Sequence, residues 1–341
     1  MIATRKAQLL DVVEVLEDLP QFDVKRGERG AVVEVFDEPE EAYIIEFVDG
    51  TGKSRIAYWV KPSQIATIDE LAKEIFESGL AIFKSGNYAE AERIFKRAIE
   101  MKPSYLGVFH NSVINSLRHT REWQRFMTGL RLVLRLDPND QIAQNNLAIA
   151  YMNFGIDKAK EGDFSFALQS LYRALGVATS PDIITNVRQS LAAVYTSWGV
   201  QAYNKGDFEF ALRCMSWARE NAPNATTRHN LSMAYAHLAY WEFNKRNFEL
   251  AKAHFESAED MGLVLPELLN DYGVTLIQLG KLDEAVRAFE RSLELSPENV
   301  TTKMNLDLAR KQAASGFSID AMKITFDPIQ LTQPQEYQVA A

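Results

Sequence analysis

The stretch NNLAIAYMNFGIDKAKEGDFSFALQSLYRAL, from Asn145 to Leu175, returns almost whole at Gln189 and again at His229. Aligned on one another, Leu147, Leu191 and Leu231 coincide, followed by Tyr151, Tyr195 and Tyr235 and then Phe164, Phe208 and Phe248, in steps of 44 and 40 residues. Small residues fall where two helices must approach closely: Ala148, Ala192 and Ser232, then Gly155, Gly199 and Ala239 one heptad on. This period constrains the fold more than any other feature. One such unit cannot bury its apolar face alone, so the copies must stack into a solenoid.

The Leu–small–Tyr group, the turn with Gly and an aromatic, and the spaced Ala–aromatic–Ala resemble the tetratricopeptide repeat. Ordinary 34-residue copies flank the central three, with Gly79, Ala91, Phe95, Ala98 and Pro103 in one and Gly273, Ala285, Phe289 and Pro297 in the other. A poorer copy lies between, where Trp123, Leu130, Val133 and Pro138 hold the pattern but Phe126 replaces a small residue. The resemblance implies about six repeats over roughly residues 70–300, closed by a capping helix in VTTKMNLDLARKQAASG. The central copies depart from it. In the family the turn glycine follows the Tyr by about four residues, whereas Tyr151 to Gly162 and Tyr195 to Gly206 are each 11 apart. The excess is two helical turns, about 10 Å, and the spacing places it between the Tyr and the turn in three consecutive first helices.

Residues 8–66 read differently. Asp11–Val15, Ala31–Phe36, Tyr43–Val48 and Arg55–Val60 are β-branched or aromatic runs with partial alternation, the pattern of half-buried strands. Turn signals separate them, and Asp49-Gly50 predicts a hairpin in which glycine takes the positive φ. Four or five strands in so few residues predict a small closed barrel. Leu19-Pro20, Gly27, Gly30, Glu46-Phe47, the Asp49–Gly52 turn and Pro62-Ser63 resemble a family of Src-homology-type barrels of unknown function, similar to the barrel of the nitrile hydratase β chain and more loosely to KOW modules. KOW modules imply RNA contact, with Lys25, Arg26 and Arg29 as the residues that would make it. Residues 1–66 carry 8 Lys/Arg against 13 Asp/Glu, however, and that balance opposes an approach to phosphate.

At Thr67 the period changes from 2 to 3.6 with almost no linker, and Thr67 or Asp69 is placed to cap the first helix. The expected fold class is therefore multidomain α plus β: a small β-barrel over 8–66, an all-α tetratricopeptide superhelix with its cap over 69–316, and an extended or disordered tail over 317–341. So short a joint predicts that barrel and first repeat pack as one body.

The net charge of −9 argues against non-specific binding to nucleic acid or an anionic membrane. No stretch approaches the length of an apolar membrane span and the first residues form no signal peptide, so the expected location is the cytoplasm. The one cysteine, Cys214, allows no internal disulfide. None of the five histidines forms a metal-binding pair, and no phosphate loop or nucleophile constellation is present, so neither catalysis nor a metal or cofactor is expected.

What recurs instead is polar. Asn145-Asn146, Gln189-Ser190 and His229-Asn230 precede the repeated Leu, and Asn153, Thr196, Ser197 and His237 lie one and two turns further along. Solenoids of this family use such inner positions to hold a peptide or a partner's helix, and side-chain amides can pair with a partner's backbone groups. The candidate partner-binding residues are accordingly Asn145, Asn146, Asn153, Gln189, Ser190, Ser197, His229, Asn230 and His237. The carboxylate clamp of chaperone-binding relatives is missing, because Phe76 and Leu80 occupy its first two positions. The expected partner is another protein, a helix or folded domain in preference to a C-terminal peptide, and the expected role is a scaffold or adaptor. Regulation or immunity-like inhibition of a partner enzyme is the alternative, with RNA binding below it. Trp198, Trp217, Tyr240 and Trp241 are expected to fill the interface between the longer helices.

Overall fold

The computed structural model describes residues 6–117 and 122–315. The tail over 317–341 lies outside the described residues. By its contacts the chain divides into two compact units, Met1–Asn146 and Leu147–Ala341.

The first unit opens with five antiparallel strands, β1 (Val12–Val15), β2 (Arg29–Phe36), β3 (Ala42–Val48), β4 (Ser54–Val60) and β5 (Ile65–Thr67), in the order β4-β3-β2-β1-β5. The predicted closure is not made by hydrogen bonds, since β4 and β5 end the ladder instead of pairing. The sheet curls all the same: Val13 and Val15 of β1, Val32, Ile45 and Phe47, Ala57 and Val60 of β4 and Ile65 of β5 share one core with Leu19 and Val24. Two bulges, between Val32 and Glu34 and between Tyr43 and Ile45, supply the bend. Gly30 is required there, because a Cβ on it would sit 2.6 Å from Ile45 Cγ2 and 2.7 Å from the Glu46 carbonyl oxygen. The β3–β4 hairpin also differs from expectation. Its left-handed residue is Gly52 (φ 83°), not Gly50, and Asp49 Oδ1 holds the loop by accepting from the Thr51 and Lys53 amides at 2.9 and 3.1 Å.

β5 runs straight into α1 (Ile68–Lys84), and Thr67 caps that helix by accepting from the Glu70 amide. Thr67 also pairs with Val13 in the sheet, so one residue ends a strand and starts a helix. The unit continues through α2 (Tyr88–Met101), α3 (Tyr105–Leu117) and α4 (Trp123–Leu136), and α5 (Gln141–Lys160) begins before its end.

The second unit contains α6 (Phe164–Val177), α7 (Pro181–Asn204), α8 (Phe208–Asn221), α9 (Ala225–Asn244), α10 (Phe248–Asp260), α11 (Pro266–Gln278), α12 (Leu282–Leu295) and α13 (Val300–Ser315). Among the described residues, six helix pairs and a terminal α13 match the expected repeat count. First helices α5, α7 and α9 have 20, 24 and 20 residues against 13 in α11, while the second helices keep 13 or 14 throughout.

The extra turns sit at the other end of the helix from where spacing placed them. In α11, Gly273 touches the second helix, its notional Cβ 2.7 Å from Phe289. The corresponding residues are Gly155, against the Ala167 carbonyl and Leu171, and Gly199, against Cys214 and Met215. From each of these the turn glycine lies seven residues on, at Gly280, Gly162 and Gly206, all with positive φ. The helix between contact and turn is therefore of ordinary length. The surplus precedes it, and Tyr151 and Tyr195 stand before the contact glycine, not at the family's Tyr. Ala143, Val187 and Thr227 are buried in these added turns, as are Leu147, Leu191 and Leu231 one turn later. The added turns extend the core instead of projecting from it.

Candidate functional site

Positions counted back from Gly155, Gly199 and Ala239 organise the recurring polar residues. Asn153, Ser197 and His237 stand two before the contact residue, Asn146, Ser190 and Asn230 nine before it, and Asn145, Gln189 and His229 ten before it. At about 100° per residue, positions seven apart nearly superpose, so Asn146 lines up with Asn153, Ser190 with Ser197 and Asn230 with His237. The third set lies roughly 80° round from Asn153, Ser197 and His237. All three sets are turned away from the buried stripe that ends on the contact glycine.

Exposure then separates them. Gln189 and His229 are exposed, whereas Asn145, Asn146, Asn153, Ser190, Ser197 and His237 are partly buried. Asn145 and Asn146 belong to the first unit and the other seven to the second. Asn230 is only 8% exposed, so of the candidate partner-binding residues it is the one closed to a partner. Its burial comes from the crowding of α9 by neighbouring helices, for Ser232, Met233 and Ala234 beside it are buried too. Ser190 Oγ donates to the Asn186 carbonyl at 2.9 Å, one turn back in its own helix.

His237 is held by a residue that sequence reasoning missed. Its Nδ1 lies 3.0 Å from the Tyr203 hydroxyl of α7, and the two rings meet edge-on at 4.7 Å. Its Nε2 is covered, with no hydrogen-bond partner among the described residues. Burial pushes the imidazole pKa down to about 4, so the ring is neutral near pH 7. Asp271 of α11, two before Gly273, takes the same register as His237 and was also missed. It is buried beside Asn270, whose amide Nδ2 lies 3.1 Å from Asp271 Oδ1 and whose Oδ1 accepts from Asn305 at 2.9 Å. Aligning the repeats on the glycine instead of the Tyr would have found it.

The aromatics of the long repeats mostly turn inward. Trp198 stacks on Phe164 at 5.8 Å and meets Phe210 edge-on at 4.9 Å, and Trp241 lies against Phe208 with the Lys245 ammonium over its ring. Trp217 is the exception among the tryptophans of these repeats, at 37% exposure near the exposed Tyr172, which shares a hydroxyl contact with Tyr195. In the sheet, the basic turn is enclosed by carboxylates: Arg26 N donates to Asp18, Lys25 N to Glu28, and Arg29 pairs with Glu14. Those carboxylates brace the turn, taking the backbone amides of Lys25 and Arg26 and the Arg29 side chain. Among the described residues no group of three His, Cys, Asp or Glu could hold a metal, and no helix is long and apolar enough to cross a membrane. The Cys214 thiol is buried, and desolvation pushes its pKa up to about 12.

Comparison with known proteins assigns both parts. Residues 9–67 match a domain of unknown function (DUF4926), and residues 75–105 and 266–299 match the tetratricopeptide repeat. The two repeat matches fall on copies of ordinary length, one on each side of the lengthened helices. No curated protein matches the sequence. Similar solved structures include the first tetratricopeptide domain of Spaghetti (RPAP3) bound to the HSP90 peptide SRMEEVD, at 23% identity, covering 37% of this chain and 96% of that one with a TM-score of 0.29. MamA of AMB-1 is similar at 20% identity, over 51% of this chain and 85% of that one with a TM-score of 0.31. Cut9 with Hcn1 of the APC/C is similar at 18%, over 70% and 42% with a TM-score of 0.27.

Proposed function

We propose that this tetratricopeptide-repeat protein with an N-terminal domain of unknown function is a scaffold or adaptor that binds another protein on the wall formed by its lengthened first helices. The observation that carries the reading is the recurrence of a polar stripe, seven residues from member to member, in three consecutive first helices whose opposite side is buried. Stacking alone does not demand polar side chains there. Gln189 and His229, which flank that stripe, are the most accessible of the candidate residues, and the added turns that bear them widen the wall by about 10 Å. That width suits a helix or a folded domain better than one extended strand.

The protein acts by presentation, without catalysis of its own, and works in the cytoplasm. The kinship of its sheet to the nitrile hydratase β-chain barrel belongs to the same proposal and rests on Leu19-Pro20, Gly27, Gly30 and Glu46-Phe47. The test is affinity capture from the native cell with the wild type and with a Gln189→Ala/His229→Ala variant. Recovery of one protein in stoichiometric amount, lost in the variant at unchanged thermal midpoint, supports the reading. Equal recovery by both forms overturns it.

A further inference from the structure

The sheet has a second side that the solenoid reading does not use. Along β3 and β4 the residues facing away from the core include Ile44, Glu46, Ile56 and Tyr58, and the register sets Glu34 beside Ile44 and Glu46 beside Ile56. Ile56 and Tyr58 are 41% and 50% exposed on the end strand of the ladder. Next to them β4 bulges, since Val60 faces Tyr43 and Ala57 faces Ile45, and the surplus includes Trp59 at φ 54°. The bulge turns the indole outward, 57% exposed, with its ring 4.7 Å from Phe36.

This apolar face is edged by carboxylates. Phe36 runs into Asp37, Glu38, Glu40 and Glu41, of which Asp37 pairs with Lys6 and Glu40 with Lys61. Glu34, Glu38 and Glu46 form no ion pair among the described residues. The negative charge thus exceeds its local compensation just where aromatic and aliphatic groups are left open to water.

From this pairing we propose that the outer face of β3 and β4 binds a cationic peptide segment of another protein, one in which Arg or Lys alternates with apolar residues. A guanidinium or ammonium lies on the open face of Trp59, and neighbouring cations reach Glu34, Glu38 and Glu46 while the apolar residues cover Ile44, Ile56 and Tyr58. A second copy of this chain is a poorer occupant, because a two-fold contact would set the same carboxylates against each other. Nucleic acid is opposed by the same charge.

The test uses the full chain and a short labelled peptide of alternating Arg and Val, titrated by fluorescence anisotropy beside its Glu/Val twin. The Arg/Val peptide binds and the twin does not. Trp59→Ala and the isosteric Glu34→Gln/Glu46→Gln double variant each weaken binding about tenfold, while Glu294→Gln/Glu298→Gln, the same charge change at and just after the end of α12, shifts it less than about twofold. Absence of Arg/Val binding overturns the proposal. So does equal weakening by the Glu294→Gln/Glu298→Gln pair, binding unchanged in both sheet variants, or a dimer in sedimentation that dissolves in Trp59→Ala.

Discussion

Gly155→Ala and Gly176→Ala make the same chemical change on two facing helices, and the structure predicts opposite signs. A methyl on Gly155 would lie 2.9 Å from the Ala167 carbonyl oxygen, 3.1 Å from Leu171 Cγ and 3.3 Å from Ser170 Cβ. Comfortable contact begins near roughly 3.5 Å, and the closest obstacle is backbone, so α5 and α6 must part by about half an ångström. Overpacking of this kind costs roughly 1–3 kcal/mol, offset by up to about 1 kcal/mol from alanine's better helix propensity. The net is a loss of up to about 2 kcal/mol. Gly176, near the end of α6, has nothing within 4 Å of a notional Cβ and keeps only the propensity gain, about 0.5 kcal/mol. Urea unfolding followed by Trp198, Trp217 and Trp241, all in the second unit, reads both. At a slope of 2–3 kcal/mol/M, Gly155→Ala should lower the midpoint by roughly half a molar and Gly176→Ala raise it slightly. Stabilisation by Gly155→Ala would refute the placement of the contact residue, and with it the assignment of the added turns to the helix start.

Arg246 occupies the left-handed position (φ 66°) that Gly162 and Gly206 fill in the preceding repeats, so Arg246→Gly should raise stability by about 0.5–1 kcal/mol in the same urea assay. Burial holds the His237 pKa near 4, below the 6.5 of a free imidazole, so the unfolded chain takes up the proton first as pH falls. The stability that the neutral ring protects is complete above about pH 6.5 and is lost toward pH 4, by an amount on the order of 3 kcal/mol. His254 is shifted down by burial as well and adds to that slope, so His237→Gln should flatten the acid limb of urea midpoint against pH without abolishing it. Asn230→Ala should cost about 1–2 kcal/mol, whereas exposed His229→Ala should stay within about 0.5 kcal/mol, a contrast that differential scanning calorimetry resolves.

Period and phase made most of the fold legible. The alternation in Tyr43–Val48 and Arg55–Val60 is that of β3 and β4, and the recurring Leu, Tyr and Phe of the three long copies are helix pairs. β5 was not visible, because Ile65-Ala66-Thr67 is too short to show a period of two before the helical pattern takes over. The added turns were seen but misplaced, since Tyr151 and Tyr195 mimic an aromatic that the family carries seven residues further on. Only the contact of Gly155 and Gly199 with the second helix distinguishes the two registers. The polar stripe itself could be read from spacing on one helix. The burial of Asn230 and the hold of Tyr203 on His237 could not, because the first depends on packing between helices and the second on a residue some thirty positions away in the chain.

The central claim is that a protein partner covers the lengthened first helices, and His229 reports on it directly. Diethyl pyrocarbonate modifies accessible imidazoles, and among the described histidines His229 is exposed while His237 and His254 are partly buried and His110 is buried. The measurement is the His229 modification rate by mass spectrometry, in the free protein and in the complex with the captured partner. The account predicts a several-fold fall at His229 with Tyr172 and Trp217 still open to their own labelling reagents. An unchanged rate at His229, with protection at Tyr172 and Trp217, would contradict it and move the binding surface to α6 and α8.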